Sequence, residues 1–218
     1  MTSLPASVFD LAPVIPVVML ERADDAVPLA RALVEGGLRA IEVTLRTPAA
    51  LPAIRAVARE VPEAVVGAGT VVTPKDADDA VAAGARFLVS PGSTPALLDA
   101  LQASRAAFLP GVSTPSEVMA LLERDVLDMK FFPAEASGGV AALRALAGPL
   151  PQARFCPTGG ITAATAPAYL ELANVGCVGG SWMVPNEALE AGDWSRVTAL
   201  AAEAAALSPD ADPVGTRG

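Results

Sequence analysis

Ala64-Val65-Val66-Gly67-Ala68-Gly69-Thr70-Val71-Val72-Thr73-Pro74 is the stretch on which the fold turns. Its first eight residues make a short apolar, β-branched run of strand type. Thr73-Pro74 then reads as a threonine N-cap followed by proline at the first helical position. A strand that runs into a capped helix is one βα unit. The same signature stands at Thr47-Pro48, Thr94-Pro95 and Thr114-Pro115, with spacings of 26, 21 and 20 residues along the series, as a repeated βα unit requires. Thr114-Pro115-Ser116-Glu117 also matches a capping box.

Working outward from this unit, strands are predicted at Val14–Leu20, Ala40–Leu45, Ala64–Val71, Phe87–Ser90, Ala107–Pro110, Leu127–Phe132, Arg154–Pro157 and Cys177–Gly180. Helical stretches lie between them. From Asp25 to Glu35, for example, Ala26, Leu29, Ala30, Leu33 and Val34 share one face, and Gly36-Gly37 supplies the stop. Eight strands with eight following helices in about 205 residues predict an α/β fold, a compact (β/α)8 TIM barrel. A doubly wound open sheet is the alternative. Against it, the first βα turn, Met19-Leu20-Glu21-Arg22, has no glycine-rich dinucleotide fingerprint. One domain, residues 1–207, is expected, with a short N-terminal cap helix before Val14 and a disordered C-terminal tail over 208–218.

The chain has 218 residues, 52% of them hydrophobic, and a mean hydropathy of +0.46, enough for a sizeable core. Its net charge of −9 would repel phosphate backbones and anionic lipid, so nucleic acid and membrane are unexpected partners. The longest apolar run, Leu11 to Leu20, is interrupted by Pro13 and Pro16 and is too short to span a bilayer. With Asp10 before it and the first basic residue at Arg22, it does not have the form of a signal peptide. A cytoplasmic protein is expected, with Cys156 and Cys177 reduced and acting as small core residues.

There is no histidine. That excludes imidazole bases, Ser-His-Asp and Cys-His nucleophiles, and histidine-ligated zinc. Lysine is almost as scarce, since thirteen of the fifteen basic residues are arginine and only Lys75 and Lys130 remain. Arginine can fill a structural cation role but cannot serve as an amine nucleophile.

In a barrel, ligands meet the C-terminal ends of the strands. Lys130 lies in Leu127-Asp128-Met129-Lys130-Phe131-Phe132-Pro133, where apolar neighbours would strip its hydration and favour the neutral, nucleophilic amine. A buried cation paired with a carboxylate is the alternative reading. Lys75, in Thr73-Pro74-Lys75-Asp76, reads as an exposed residue of a helix's first turn. Glu42, inside Ala40-Ile41-Glu42-Val43-Thr44-Leu45, must be paired or used, and without histidine it is the best available proton shuttle. Arg46 ends that strand, where its guanidinium could grip a carboxylate or simply face solvent. Thr70 follows two glycines that either admit a ligand or serve packing. Gly159-Gly160 and Gly179-Gly180 end the last two strands, in the loops that often bind phosphate.

Taken together, the ordered motifs Glu42-Val-Thr-Leu-Arg46-Thr47, Gly67-Ala-Gly-Thr70-Val71, Val89-Ser-Pro-Gly92, Pro110-Gly-Val-Ser-Thr-Pro115, Lys130-Phe-Phe-Pro-Ala-Glu135, Pro157-Thr-Gly-Gly-Ile161 and Gly179-Gly-Ser-Trp182 resemble the 2-keto-3-deoxy-6-phosphogluconate (KDPG) aldolases and the related 4-hydroxy-2-oxoglutarate (KHG) aldolases. The resemblance runs from Val14 to Leu207. It implies a class I lyase of the Entner-Doudoroff pathway, a homotrimer that needs neither metal nor other cofactor. The substrate would be a phosphorylated keto acid split to pyruvate and glyceraldehyde 3-phosphate. By the same resemblance Lys130 would form the Schiff base and Glu42 would move protons. Arg46 and Thr70 would hold the keto-acid carboxylate, Gly159, Gly160, Gly180 and Ser181 the distal phosphate, and Pro91, Phe132 and Pro133 would line the pocket. Cleavage of 4-hydroxy-2-oxoglutarate, or a non-catalytic barrel that binds a phosphorylated ligand, are the competing expectations.

Overall fold

The computed structural model describes residues 7–104 and 106–207. The expected tail, 208–218, and the first six residues lie outside the described part. Strands and helices alternate: β1 (Val14–Val18), α1 (Ala26–Glu35), β2 (Ala40–Thr44), α2 (Ala50–Glu60), β3 (Val65–Gly69), α3 (Pro74–Ala83), β4 (Phe87–Val89), α4 (Pro95–Ala103), β5 (Ala107–Leu109), β6 (Gly111–Val112) and α5 (Pro115–Leu122). They continue with β7 (Asp128–Phe131), α6 (Gly139–Ala147), β8 (Arg154–Pro157), α7 (Ala166–Leu170), β9 (Val178–Gly180), α8 (Asn186–Ala191) and α9 (Trp194–Ala205).

All the strand pairs are parallel. One ladder has the order β5-β4-β3-β2-β1-β9 and the other β6-β7-β8, so the sheet curls in two parts. The fifth predicted strand, Ala107–Pro110, is β5, and β6 is a further strand beyond its predicted end, because Pro110 has no N–H to donate and interrupts the ladder between Leu109 and Gly111.

Three of the four threonine caps form as expected. The hydroxyls of Thr73, Thr94 and Thr114 accept from the N–H groups of Asp76, Leu97 and Glu117, and Asp76 and Glu117 complete capping boxes. Thr47 does not cap. Its hydroxyl donates to the Leu20 carbonyl instead, and α2 begins only at Ala50. A hydroxyl engaged in tying two loops together is lost to the helix end.

Period-2 alternation sorts each strand's side chains to two faces. One set, including Val18, Ile41, Val43, Val66, Leu88, Met129 and Phe155, packs with the helices in the main core. The other set, Ile15, Ala40, Val65, Phe87, Val89, Leu109, Cys156 and Cys177, forms a second core on the concave face. Val8 and Phe9, from the 3-10 turn Val8–Asp10, join that second core. No helix among the described residues is long and apolar enough to cross a membrane.

Candidate active site

The strand register brings the rare lysine and the strand-borne carboxylate together. Glu42 stands level with Val17 on β1 and Gly67 on β3, and Lys130 with Gly111 and Cys156. Both side chains enter the concave face, where Lys130 Nζ lies 3.1 Å from Glu42 Oε1. Lys130 is 5% and Glu42 3% exposed, so the pair is screened from bulk water. Nζ is also 5.3 Å from the centre of the Phe132 ring. Lys75 is the ordinary surface residue expected, ion-paired with Asp79 one turn on.

Two residues past Glu42 on the same face is Thr44, and two past Lys130 is Phe132. Both line a cavity of about 310 Å³ at the strands' C-terminal ends. The buried pair therefore lies one side-chain layer below that cavity. Arg46, Gly159, Gly160, Gly180 and Ser181 also line it, as expected for residues that end strands β2, β8 and β9. Arg46 is the sole charged residue of the lining and has no ion-pair partner among the described residues. A cavity with one free guanidinium and glycine-rich walls suits an anion, in contrast to the chain's overall negative charge.

Glycine is required at several of these walls. A Cβ on Gly179 would lie 2.3 Å from Thr158 Oγ1, and one on Gly180 would run into the Trp182 ring. Gly159 and Gly160 have φ of 105° and 81°, which side-chain-bearing residues rarely adopt.

Thr70, Pro91 and Pro133 fall outside the cavity lining. Thr70, at the end of β3, is half-buried with φ 58°, a left-handed backbone unusual for a β-branched residue. Pro91 packs its backbone against Gly111, where a Cβ would lie 2.2 Å from the Pro91 carbonyl carbon. Pro133 is exposed beside Gly159. Conversely, the cavity includes Thr44, Thr158 and Asn186, which motif reading did not single out. Period-2 spacing from Glu42 and Cys156 points to the first two, whereas Asn186 follows the last strand with no local signal.

Cys156 and Cys177 are free and buried. Burial, then the hydrogen bond and charge of Cys156, holds the Cys177 thiol well above its usual range. A thiolate there is disfavoured, in keeping with small core residues. No group of three or more potential ligand side chains among the described residues could hold a metal ion.

Comparison with known proteins agrees with this geometry. Residues 6–200 match the family model for KDPG and KHG aldolase. A KHG/KDPG aldolase of Escherichia coli K12 is 54% identical over 198 residues, covering 91% of this chain and 93% of that protein. The crystal structure of a KDPG aldolase from Legionella pneumophila, with pyruvate captured as a covalent carbinolamine, superposes with a TM-score of 0.89 at 48% identity, covering 90% of this chain and 96% of that one. The Zymomonas mobilis KDPG aldolase with 3-phosphoglycerate gives 0.87 at 51% identity, over 93% and 95% of the two chains. By sequence and by fold, this chain belongs to the KDPG and KHG aldolase family.

Proposed function

We propose that the chain cleaves 2-keto-3-deoxy-6-phosphogluconate to pyruvate and glyceraldehyde 3-phosphate through a Schiff base on Lys130. The observation that carries the reading is the buried Lys130–Glu42 pair, 3.1 Å apart, beneath a cavity whose one charged side chain is Arg46. Nζ passes a proton to Glu42 and, as the neutral amine, attacks the C2 carbonyl; Glu42 then returns that proton to the carbinolamine hydroxyl, which departs as water and leaves the protonated imine. The protonated imine is then an electron sink. As the C4 hydroxyl gives its proton to Glu42, the C3–C4 electron pair moves into the imine. The aldehyde leaves and an enamine remains. Reprotonation at C3 and hydrolysis release pyruvate and regenerate the lysine, with no metal needed to stabilise an enolate.

Arg46 and Thr70 hold the substrate carboxylate, while Gly159, Gly160, Gly180 and Ser181 take the distal phosphate. Pro91, Phe132 and Pro133 shape the entrance. Support for the phosphate assignment is the glycine-walled, carboxylate-free lining of the cavity and the Zymomonas mobilis relative's 3-phosphoglycerate complex. The two ladders are read as one (β/α)8 barrel of a single domain, 1–207. Its support is the chain's continuity through Pro110, which links β5 to β6, and the isolated bridge between Thr158 and Gly179 near the other seam. The turn Val8–Asp10 is read as part of a cap on the closed end, because Val8 and Phe9 pack into the concave core. A cytoplasmic homotrimer completes the reading, as the family resemblance implies.

Borohydride trapping with pyruvate, followed by peptide mapping, tests the covalent step. A single adduct on Lys130 is expected; no adduct, or one on Lys75, would sink it. The Escherichia coli relative bears both aldolase names, so 4-hydroxy-2-oxoglutarate is the second substrate to assay. Higher kcat/KM for that compound than for the phosphorylated sugar acid would reverse the proposed preference.

A further inference from the structure

The chain's single tyrosine plays no part in the chemistry above, yet it is fully buried and meets a carboxylate from the lysine's own segment. Tyr169, on α7, donates from its hydroxyl to Glu135 Oε1 at 2.6 Å. Glu135 opens the 3-10 turn Glu135–Ser137, five residues past Lys130. Its backbone N–H donates to the Gly159 carbonyl at 3.1 Å, and the N–H of Ala134 donates to the Thr158 carbonyl at 2.8 Å. Its side chain lies against Gly160, where a Cβ would stand 2.7 Å from Glu135 Cγ. Behind the tyrosine, a Cβ on Gly139 would lie 3.0 Å from the phenol oxygen, so the start of α6 also fits closely around it. Burial, followed by the hydrogen bond and charge of Glu135, raises the phenol's pKa above its usual range, so it remains a donor.

We infer that Tyr169 and Glu135 are positioning residues that fix the Gly159-Gly160 loop relative to Lys130, and so set the span between the imine nitrogen and the distal phosphate. The inference rests on the reading that this loop takes that phosphate. Neither side chain is part of the cavity lining, and neither touches a reacting atom. Segment 130–135 is the shared frame: Lys130 holds one end of the substrate, and Glu135 holds the loop at the other. With the brace gone, the loop would sample more backbone states, and only the phosphate end of the substrate would register the change.

The test is a substrate split across three variants of the full chain: Tyr169→Phe, Glu135→Ala and Glu135→Gln. The first two should raise KM for 2-keto-3-deoxy-6-phosphogluconate by about fivefold, the scale of losing one net hydrogen bond at a part-exposed site. Borohydride trapping with pyruvate and kcat/KM for 4-hydroxy-2-oxoglutarate, which lacks the phosphate, should stay within about twofold, below the effect of one net hydrogen bond. Glu135→Gln keeps an acceptor for the phenol and should retain the parent KM. A purely structural role would lower thermal stability while leaving the KM difference between substrates unmoved, and that result would overturn the inference. Equal loss on both substrates would overturn it as well. If the parent enzyme itself shows no preference for the phosphorylated substrate, the phosphate reading fails and the inference falls with it. A preference that persists unchanged in Tyr169→Phe refutes the brace alone.

Discussion

Gly69 and Glu42 face each other so closely that no side chain fits between them: a Cβ on Gly69 would lie 2.1 Å from Glu42 Oε1 and 2.7 Å from its Cγ and Cδ. The bareness of β3 at this point lets the Glu42 carboxylate of β2 reach Lys130. Neither the glycine's φ nor a tight turn is involved, and the requirement is purely one of space.

Gly69→Ala should therefore behave as a mutation of Glu42. Displacing the carboxylate removes the proton relay, and turnover should fall about a hundredfold, the usual scale for losing a positioned acid–base group. Placed on Glu42→Gln, the same substitution should add little further loss, because the two changes remove one function. Steady-state rates of the two single variants and the double variant check this. Full additivity would mean that the glycine serves something other than the carboxylate.

The Lys130–Glu42 contact also has a stability signature separate from catalysis. Lys130→Met leaves a carboxylate buried without its cation, which should destabilise the fold by about 3 kcal/mol. Adding Glu42→Leu removes the orphaned charge and should recover most of that loss, since an apolar pair of similar size often replaces a buried ion pair without penalty. Both variants should be inactive and untrappable by borohydride. Urea unfolding decides the matter, and equal stability of the single and double variants would contradict a mutually dependent pair.

Sequence patterns made much of this architecture legible because the signals were local. Each of the eight predicted strands recurs as a single strand, shortened by a residue or more except at Arg154–Pro157, and Thr73, Thr94 and Thr114 cap as read. The two-residue β6 was not foreseen: Pro110's missing N–H is visible in the sequence, but the ladder that Gly111 and Val112 join beyond it depends on the neighbouring strand β7. Thr47 carries the same Thr-Pro signature as the working caps, but its hydroxyl goes to Leu20, 27 residues back, a partner no local window contains. In the site, Arg46, Phe132 and the glycine pairs came together as expected, because the C-terminal ends of parallel strands converge on one face. Asn186 and the Tyr169–Glu135 contact escaped for the opposite reason: the second joins residues 34 apart, one on α7 and the other in the 3-10 turn after β7.

The cap of α5 gives a pH-dependent prediction. Burial pushes the Glu117 carboxyl up, but hydrogen bonds from the backbone and hydroxyl groups of Ser113 and Thr114 together carry it below its ordinary value of 4.5. A folded-state value below the unfolded one means stability that is present at neutral pH and is lost as pH falls through the lower, folded value. Glu117→Ala should lower stability by about 0.5 to 1 kcal/mol at pH 7. The gap between variant and parent should close as the medium is acidified below 4.5. Thermal melts across that range measure it, and a gap independent of pH would assign the effect to packing.

Thr70 makes a case in which stability and binding should move in opposite directions. A β-branched residue at φ 58° holds a backbone that favours glycine, a strain of about 1 to 3 kcal/mol. Thr70→Gly releases the strain, although glycine's freer unfolded chain offsets part of it, so a net gain of about 1 kcal/mol is expected. If the hydroxyl helps to hold the keto-acid carboxylate, the same variant should raise KM for the substrate and slow pyruvate trapping at low pyruvate, with the rate recovering at saturation. Thr70→Ser separates the two effects, because it restores the hydroxyl and removes one branch: its KM should return toward the parent value while its stability changes little. A Thr70→Gly enzyme that is both more stable and unchanged in KM would leave the strained backbone without a functional reason and would remove Thr70 from the site.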